Sequence, residues 1–183
     1  MRCIVVKQLL KNRNVAIVIT VVVIVLSILG GSHRSLLAAA HSAERHFDDI
    51  QQELETRIGL ASNLHVVADR YLSPDDPDLL VLESAIDELR NAQTANEKAK
   101  ANQNLTAATE HMHLKLQGLY LGLSVTDDRY CTQIRTDLAS YNQIIGHSKY
   151  NEKVDQYNAE VLGKFPANIL VQLTGVPKLE SFR

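Results

Sequence analysis

Tryptophan is absent from the 183 residues, and cysteine occurs only twice, as Cys3 and Cys131. So few thiols do not make a disulfide-stapled secreted scaffold. Four prolines and eight glycines are too few for a repetitive or low-complexity chain. No window alternates polar and apolar residues with a period of two, which argues against β-structure. Like-charge blocks are missing as well, while apolar residues recur along the whole chain. That excludes disorder and leaves enough material for a core. Residues 15–32 contain no charged side chain at all.

The net charge of −2 hides an asymmetry. Residues 1–14 carry Arg2, Lys7, Lys11 and Arg13 and no acid, whereas from residue 32 onward fifteen Lys/Arg stand against twenty-one Asp/Glu. An acidic body behind a basic tip is a poor nucleic-acid binder, so no nucleic-acid partner is expected.

From Val15 to Leu29 the chain reads VAIVITVVVIVLSIL, and Gly30, Gly31 and Ser32 extend the uncharged stretch to 18 residues. As a helix it spans about 27 Å, close to a bilayer's hydrocarbon thickness. A helix of a soluble bundle carries a polar face, and this segment has none. In lipid the backbone must satisfy its own hydrogen bonds, so even β-branched residues become helical there. The organisation expected is a short basic tip over 1–14, a transmembrane helix over 15–32 and one domain over 33–183. A cleaved signal peptide shares the basic-then-apolar pattern, with small residues at Gly30 and Ser32 or at Ala38 and Ala40 for a peptidase. Retention is the preferred reading, because a helical pattern continues from Ser35. Arg34 and Arg45 are the only cations in the twenty residues after the span, so the tip is expected in the cytoplasm and the domain outside. The bilayer would thus contact residues 15–32.

The remainder reads as four helices in an antiparallel bundle. Along the first, about Ser35 to Leu72, Phe47, Leu54, Ala61 and Ala68 repeat every seven, with Ile50, Leu64 and Tyr71 interleaved. Arg57 interrupts this seam, and Ile58 is expected to take the buried direction in its place. SPDDPD (73–78) is a loop, after which Asp78 is expected to cap a helix carrying Leu82, Ile86 and Leu89. The polar stretch 93–104 is compatible with a turn or with continued helix. Leu105, Met112, Leu116, Leu119 and Leu123 mark a third helix. A fourth, starting at Asp127 or Asp128, buries Tyr130, Ile134, Leu138, Tyr141 and Ile145, and runs through Val154, Tyr157 and Val161 to Phe165, where Pro166 stops it. Cys131 reads as a small buried hydrophobe, and Ile169, Leu170 and Leu173 as a tail folding back over the bundle.

Catalytic and metal signatures were sought by spacing. Glu110 and His113 form one Glu-x-x-His, whereas a di-iron bundle needs two and two further inward glutamates. His111 and His113 are two apart and point to nearly opposite sides. Gly-rich phosphate loops, Gly-x-Ser-x-Gly elbows and Cys-x-x-Cys pairs are missing. All seven histidines are therefore expected to face solvent or the membrane surface, with no metal, no cofactor and no catalytic residue. Three Tyr-Asn dipeptides stand out: Tyr141-Asn142, Tyr150-Asn151 and Tyr157-Asn158. The simplest reading buries each ring while its hydroxyl reaches the rim, and lets the asparagine bond a facing segment.

Tyr150-Asn151, Tyr157-Asn158, Phe165-Pro166, Asn168-Ile169, Gly175 and Phe182 together closely resemble the end of LemA family proteins. Two Tyr-Asn pairs a heptad apart, then Phe-Pro and a terminal aromatic clasp, are the hallmark. Arg57, Leu60 and Asn63-Leu64-His65-Val66 look like that family's Arg-x-x-Leu-x-Pro-Asn-Leu-Val element, with Ser62 in place of its proline. Residues 73–126 match in helical character alone, so this is a divergent member. The resemblance covers about Phe47 to Phe182. It implies an all-α protein, a single span of a bacterial cytoplasmic membrane and no established catalytic activity, with Arg57, Asn63, Leu64, Tyr150, Asn151, Tyr157, Asn158, Phe165, Pro166 and Phe182 as structural motif residues. The function expected is a membrane-anchored, non-enzymatic scaffold or interaction module for other envelope proteins. The alternative is a ligand-sensing extracytoplasmic bundle acting through a partner.

Overall fold

A computed structural model describes residues 13–119, 122–163, 168, 169, 171 and 178–183. The described residues are helical and contain no strand. The elements are α1 (Arg13–Ala68), α2 (Pro77–Asn91), α3 (Ala95–Gln117), α4 (Val125–Gly146), α5 (Tyr150–Gln156) and a π-helical stretch, Tyr157–Val161. Two compact units are formed. The described residues up to Ser42 belong to one, together with those between Gln156 and Lys178; Ala43–Asp155 and Leu179–Arg183 make the other.

In the first unit, α1 carries the apolar run. Ile17, Val18, Val22, Leu26 and Ile28 are all at least half exposed, and none of the described residues buries the most apolar 18-residue window. Thr20 and Ser27 return their hydroxyl protons to the carbonyls of Ala16 and Val23, four residues back. Both polar groups are thus satisfied inside the helix, as a lipid environment requires. Among the described residues, α1 is the one helix long and apolar enough to cross a membrane. Leu36, Ala40 and Tyr157 are buried in this unit, whereas Ile169, expected in an apolar clasp, is half exposed. Leu170 and Leu173 of that expected clasp lie outside the described residues.

The second unit is a helical bundle with one apolar core. Along α1, Ala43, Ile50, Leu54, Ala61, Leu64 and Ala68 are buried, with Phe47 and Tyr71 packed partly against them. Their four-three spacing is the knobs-into-holes register. Leu82, Ile86 and Leu89 of α2, Leu105, Met112 and Leu116 of α3, and Cys131, Ile134, Leu138 and Ile145 of α4 complete the core. The hydrogen bonds fix directions. Asp78 and Glu88 of α2 meet Lys115 and Asn104 of α3 respectively, so these helices are antiparallel. Asn102 and Glu110 of α3 meet Asn142 and Arg135 of α4, again antiparallel. Arg57 of α1 and Tyr71, in the turn just after it, meet Asn142 and Asp127 of α4 in the same opposed sense.

The helix ends show where local chemistry outweighs pattern. Asp76, not Asp78, caps α2: its carboxylate accepts the Asp78 N–H at 3.0 Å. Pro77 sets φ for the first helical position and has no N–H to satisfy, so the cap falls one residue before it. The polar stretch 93–104 contains a helix start. Thr94 accepts the Glu97 N–H while Glu97 accepts the Thr94 N–H, a capping box that opens α3 at Ala95. Helix α4 begins at Val125, capped by Ser124, and Asp127 and Asp128 lie in its first turn, where acids favour the helix dipole. It ends at Gly146 rather than running on to Phe165. Gly146 is a poor helix former, and the Ser148 hydroxyl accepts the Tyr150 N–H at 3.2 Å to restart the chain as α5. Tyr130, expected inside, is exposed, and its neighbour Cys131 is the buried residue.

Candidate functional site

A charged residue sits in the apolar seam of α1. Arg57 occupies the register position between Leu54 and Ala61, is 1% exposed, and displaces Ile58, which is half-buried. This corrects the expectation that Ile58 would turn inward. The four-three register places position 57 inside whatever its chemistry, so the question becomes what holds the guanidinium there.

Two facing helices, α3 and α4, answer it. Two of the guanidinium's N–H groups, both on Nη1, donate to the side-chain oxygens of Asn102 and of Asn142, the latter at 2.8 Å. A third, on Nη2, donates to the Thr106 hydroxyl at 2.7 Å. Asn102 in turn donates to the Asn142 oxygen at 3.1 Å, and the Thr106 hydroxyl donates to the Asn102 carbonyl at 2.8 Å. Every partner is neutral. Burial pulls the Arg57 pKa down to about 10, so it remains cationic at neutral pH. A buried charge held only by dipoles is expensive unless its geometry is well satisfied.

The layer follows from the α3 sequence. Asn102, Thr106, Thr109 and His113 recur at four-three spacing and make a polar stripe beside the apolar stripe of Ala101, Leu105, Ala108 and Met112. Thr109 is buried and satisfied by the Leu105 carbonyl at 2.8 Å. His113 is 3% exposed, against the expectation that every histidine faces solvent or the membrane surface. Its place in the inward stripe is the reason. Burial first, and then the nearby Arg135 cation, lower its pKa, against a smaller upward pull from Glu110 and Asp128. A cavity of about 280 Å³ lies within this layer, lined by Arg57, Leu64, His113, Cys131 and Leu138 among others. Burial and the carboxylates of Asp127 and Asp128 raise the Cys131 thiol, so it stays protonated and unreactive.

Each end of the layer is closed by a tyrosine. At one, the Tyr71 hydroxyl donates to Asp127 at 2.6 Å and accepts the Ser124 N–H at 3.1 Å, while Arg70 reaches the same carboxylate at 3.2 Å. The Tyr71 bond does most to hold Asp127 below the usual carboxylate range. At the other, Tyr150 is buried against Phe47, with ring centroids 5.0 Å apart, and donates its hydroxyl to the Glu180 carbonyl at 2.7 Å. Asn151 donates to the Phe182 carbonyl at 2.8 Å and accepts the Phe182 N–H at 2.7 Å, as a neighbouring strand would. Phe182 lies 6.5 Å from Phe47, and Arg183 pairs with Asp155.

Tyr150, Asn151 and Phe182 are thus brought together as one clasp, and Arg57 joins the asparagine of a Tyr-Asn dipeptide, Asn142. Leu64 is core, Asn63 is exposed on α1, Tyr157 is buried and Asn158 is half-buried in the other unit. Phe165 and Pro166 lie outside the described residues. The apolar pattern does not single out Asn102 or Thr106 and turns His113 to solvent, although the four-three spacing of these polar residues along α3 is a readable signal. Among the described residues, no group of three His, Cys, Asp or Glu side chains is placed to hold a metal ion.

The comparisons with known proteins add one positive result. The model of the LemA family matches residues 46–183, which takes in the whole polar layer and both closing tyrosines. No curated protein matches the chain.

Proposed function

The chain belongs to the LemA family, and from that premise we propose that it is a membrane-anchored, non-enzymatic helical bundle that docks other proteins of the bacterial envelope. The observation that carries this reading is the apolar window of α1, none of which the protein buries. Ten exposed aliphatic side chains between Ile17 and Ile28 would drive association in water at about 25 cal/mol per Å², so a bilayer is the environment that satisfies them. Four cations precede the run, which favours a cytoplasmic tip and a domain outside the inner membrane.

The bundle's chemistry supports docking over catalysis. Its nucleophile Cys131 is buried and protonated, and the hydroxyls of Tyr71 and Tyr150 and the amides of Asn102, Asn142 and Asn151 are spent on internal bonds. Its outer faces, by contrast, carry Leu80, Val81 and Leu114, each half exposed or more. A groove of about 530 Å³ between α2 and α3, lined by Val81, Ser84, Ala85, Ala107 and Ala108 with Asp78 and Glu88 beside them, offers a partner an apolar floor and an acidic edge.

Removal of residues 1–31 tests the anchor: the remaining chain is expected in the soluble fraction, helical by circular dichroism. Persistence in the membrane fraction contradicts the reading. Photo-crosslinkers at Val81 and Leu114 in living cells test docking, with discrete adducts expected at these positions and none at Asp155. For orientation, Cys131 is too buried to label. A cysteine introduced at exposed Asp75 is expected to react with an impermeant reagent in intact cells.

A further inference from the structure

The polar layer holds a positive charge with no negative one against it. Arg57 is 1% exposed, and its bonding partners are two carboxamides and a hydroxyl. Of its five N–H groups three are engaged, which leaves Nε–H and one N–H on Nη2. The Nε atom is buried with no partner. Nε and Nη2 flank one edge of the guanidinium, the edge that a carboxylate takes with two parallel hydrogen bonds. His113, 3% exposed, presents a second buried nitrogen without a partner, Nδ1. Both side chains line the same cavity of about 280 Å³.

The rest of the lining sorts by chemistry. Leu64, Leu138 and Ala139 supply an apolar wall. Glu110 and Arg135 also line the cavity, but each is nearly half exposed, and they bond to each other, with Arg135 Nε donating to Glu110 at 3.0 Å. Cavity and solvent therefore meet at an ion pair that water screens, and such pairs open readily. The lining thus combines this pair, an apolar wall and a buried cation whose Nε has no partner. Its volume exceeds that of a monatomic ion several-fold and lies just below the usual range for small-molecule pockets.

We propose that this cavity between α1, α3 and α4 binds a short-chain organic carboxylate. The carboxylate sits on the Nε–Nη2 edge of Arg57, with His113 Nδ1 donating to it when protonated, and the alkyl body lies against Leu64, Leu138 and Ala139. Occupancy neutralises the buried charge and replaces missing hydrogen bonds, so the ligand stabilises the bundle as it binds. The site is independent of the docking faces on α2 and α3 and stands whether or not the protein is a scaffold.

The test is calorimetric titration of the full chain in lipid nanodiscs with butyrate, acetate, phosphate and chloride. Butyrate is expected to bind once per chain with Kd about 1 mM or tighter. Acetate, two methylenes shorter, is expected to bind about tenfold more weakly, and the two inorganic anions more weakly still. His113→Phe keeps the ring's bulk and removes Nδ1. With its circular dichroism unchanged, it is expected to weaken butyrate about tenfold. Arg57→Gln, where it folds, is expected to abolish binding. No saturable butyrate heat overturns the proposal, as does phosphate or chloride binding as tightly as butyrate, or butyrate affinity that His113→Phe leaves unchanged.

Discussion

Between Ile17 and Ile28, α1 is apolar on every side and its aliphatic side chains are exposed, while between Ala43 and Ala68 it is apolar along one stripe and that stripe is buried. On the proposed reading, one helix meets two solvents. In the first stretch the only polar side chains, Thr20 and Ser27, bond their own backbone. In the second a full charge, Arg57, is taken into the core and held by three other side chains. Burial in a packed bundle can offer specific dipoles to a charge; lipid offers none, and a chain that enters it must bring its own partners. Composition thus follows environment more closely than it follows secondary structure.

The contrast breaks most sharply at Arg57. Arg57→Ala strands Asn102, Thr106 and Asn142 around a hole, and is expected to destabilise the bundle by about 3–5 kcal/mol in denaturant unfolding. Within the same stripe Leu64→Ala is expected to cost about 3 kcal/mol by the same measurement. Val22→Ala, one methyl-rich residue of the uncovered run, is expected to leave the bundle's midpoint unchanged. A shift comparable to that of Leu64→Ala would mean that the run is packed against protein. Further from the seam, Asn151→Ala removes both bonds to Phe182 and is expected to cost about 1–2 kcal/mol, with faster amide exchange at Phe182 as the readout.

The smallest effect is in pH. Asp127 is held below the ordinary aspartate range, chiefly by the Tyr71 hydroxyl and then by Ser124. Its contribution is fully present above the unfolded aspartate value and is lost as pH falls through the lowered folded value. Asp76, lowered first by its bond to Lys115, acts in the same direction. Asp127→Asn is expected to reduce the acid-side loss of stability measurably, with no change near neutrality in the slope of stability against pH.

Much of this was legible in the residues, and what was missed has physical causes. The apolar run, the four-three seam of α1 and the buried face of α2 needed only periodicity. The reading of a buried ring whose hydroxyl and neighbouring amide bond a facing segment holds at Tyr150 and Asn151, whereas Tyr141, expected inside, is half-buried. Hydropathy alone turns Ile58 inward in place of Arg57, whereas register decides which positions face inward. The same holds for Asn102, Thr106 and His113, whose polar residue types hide a four-three period that places them in the inward stripe. The break at Gly146 was hidden because α5 resumes with Tyr150 and Val154 buried, so the apolar pattern runs through a turn that the backbone does not.

Two exposed valines of α1 offer the most direct test of one helix in two solvents, Val22 at 50% exposure and Val66 at 54%. Nitroxide labels introduced singly at these positions, in the full chain reconstituted into nanodiscs, report which relaxant reaches them. Oxygen, which partitions into lipid, is expected to relax the label at Val22, and a water-soluble nickel chelate the label at Val66. A label at Val22 that the nickel chelate relaxes as readily as one at Val66 would contradict the account.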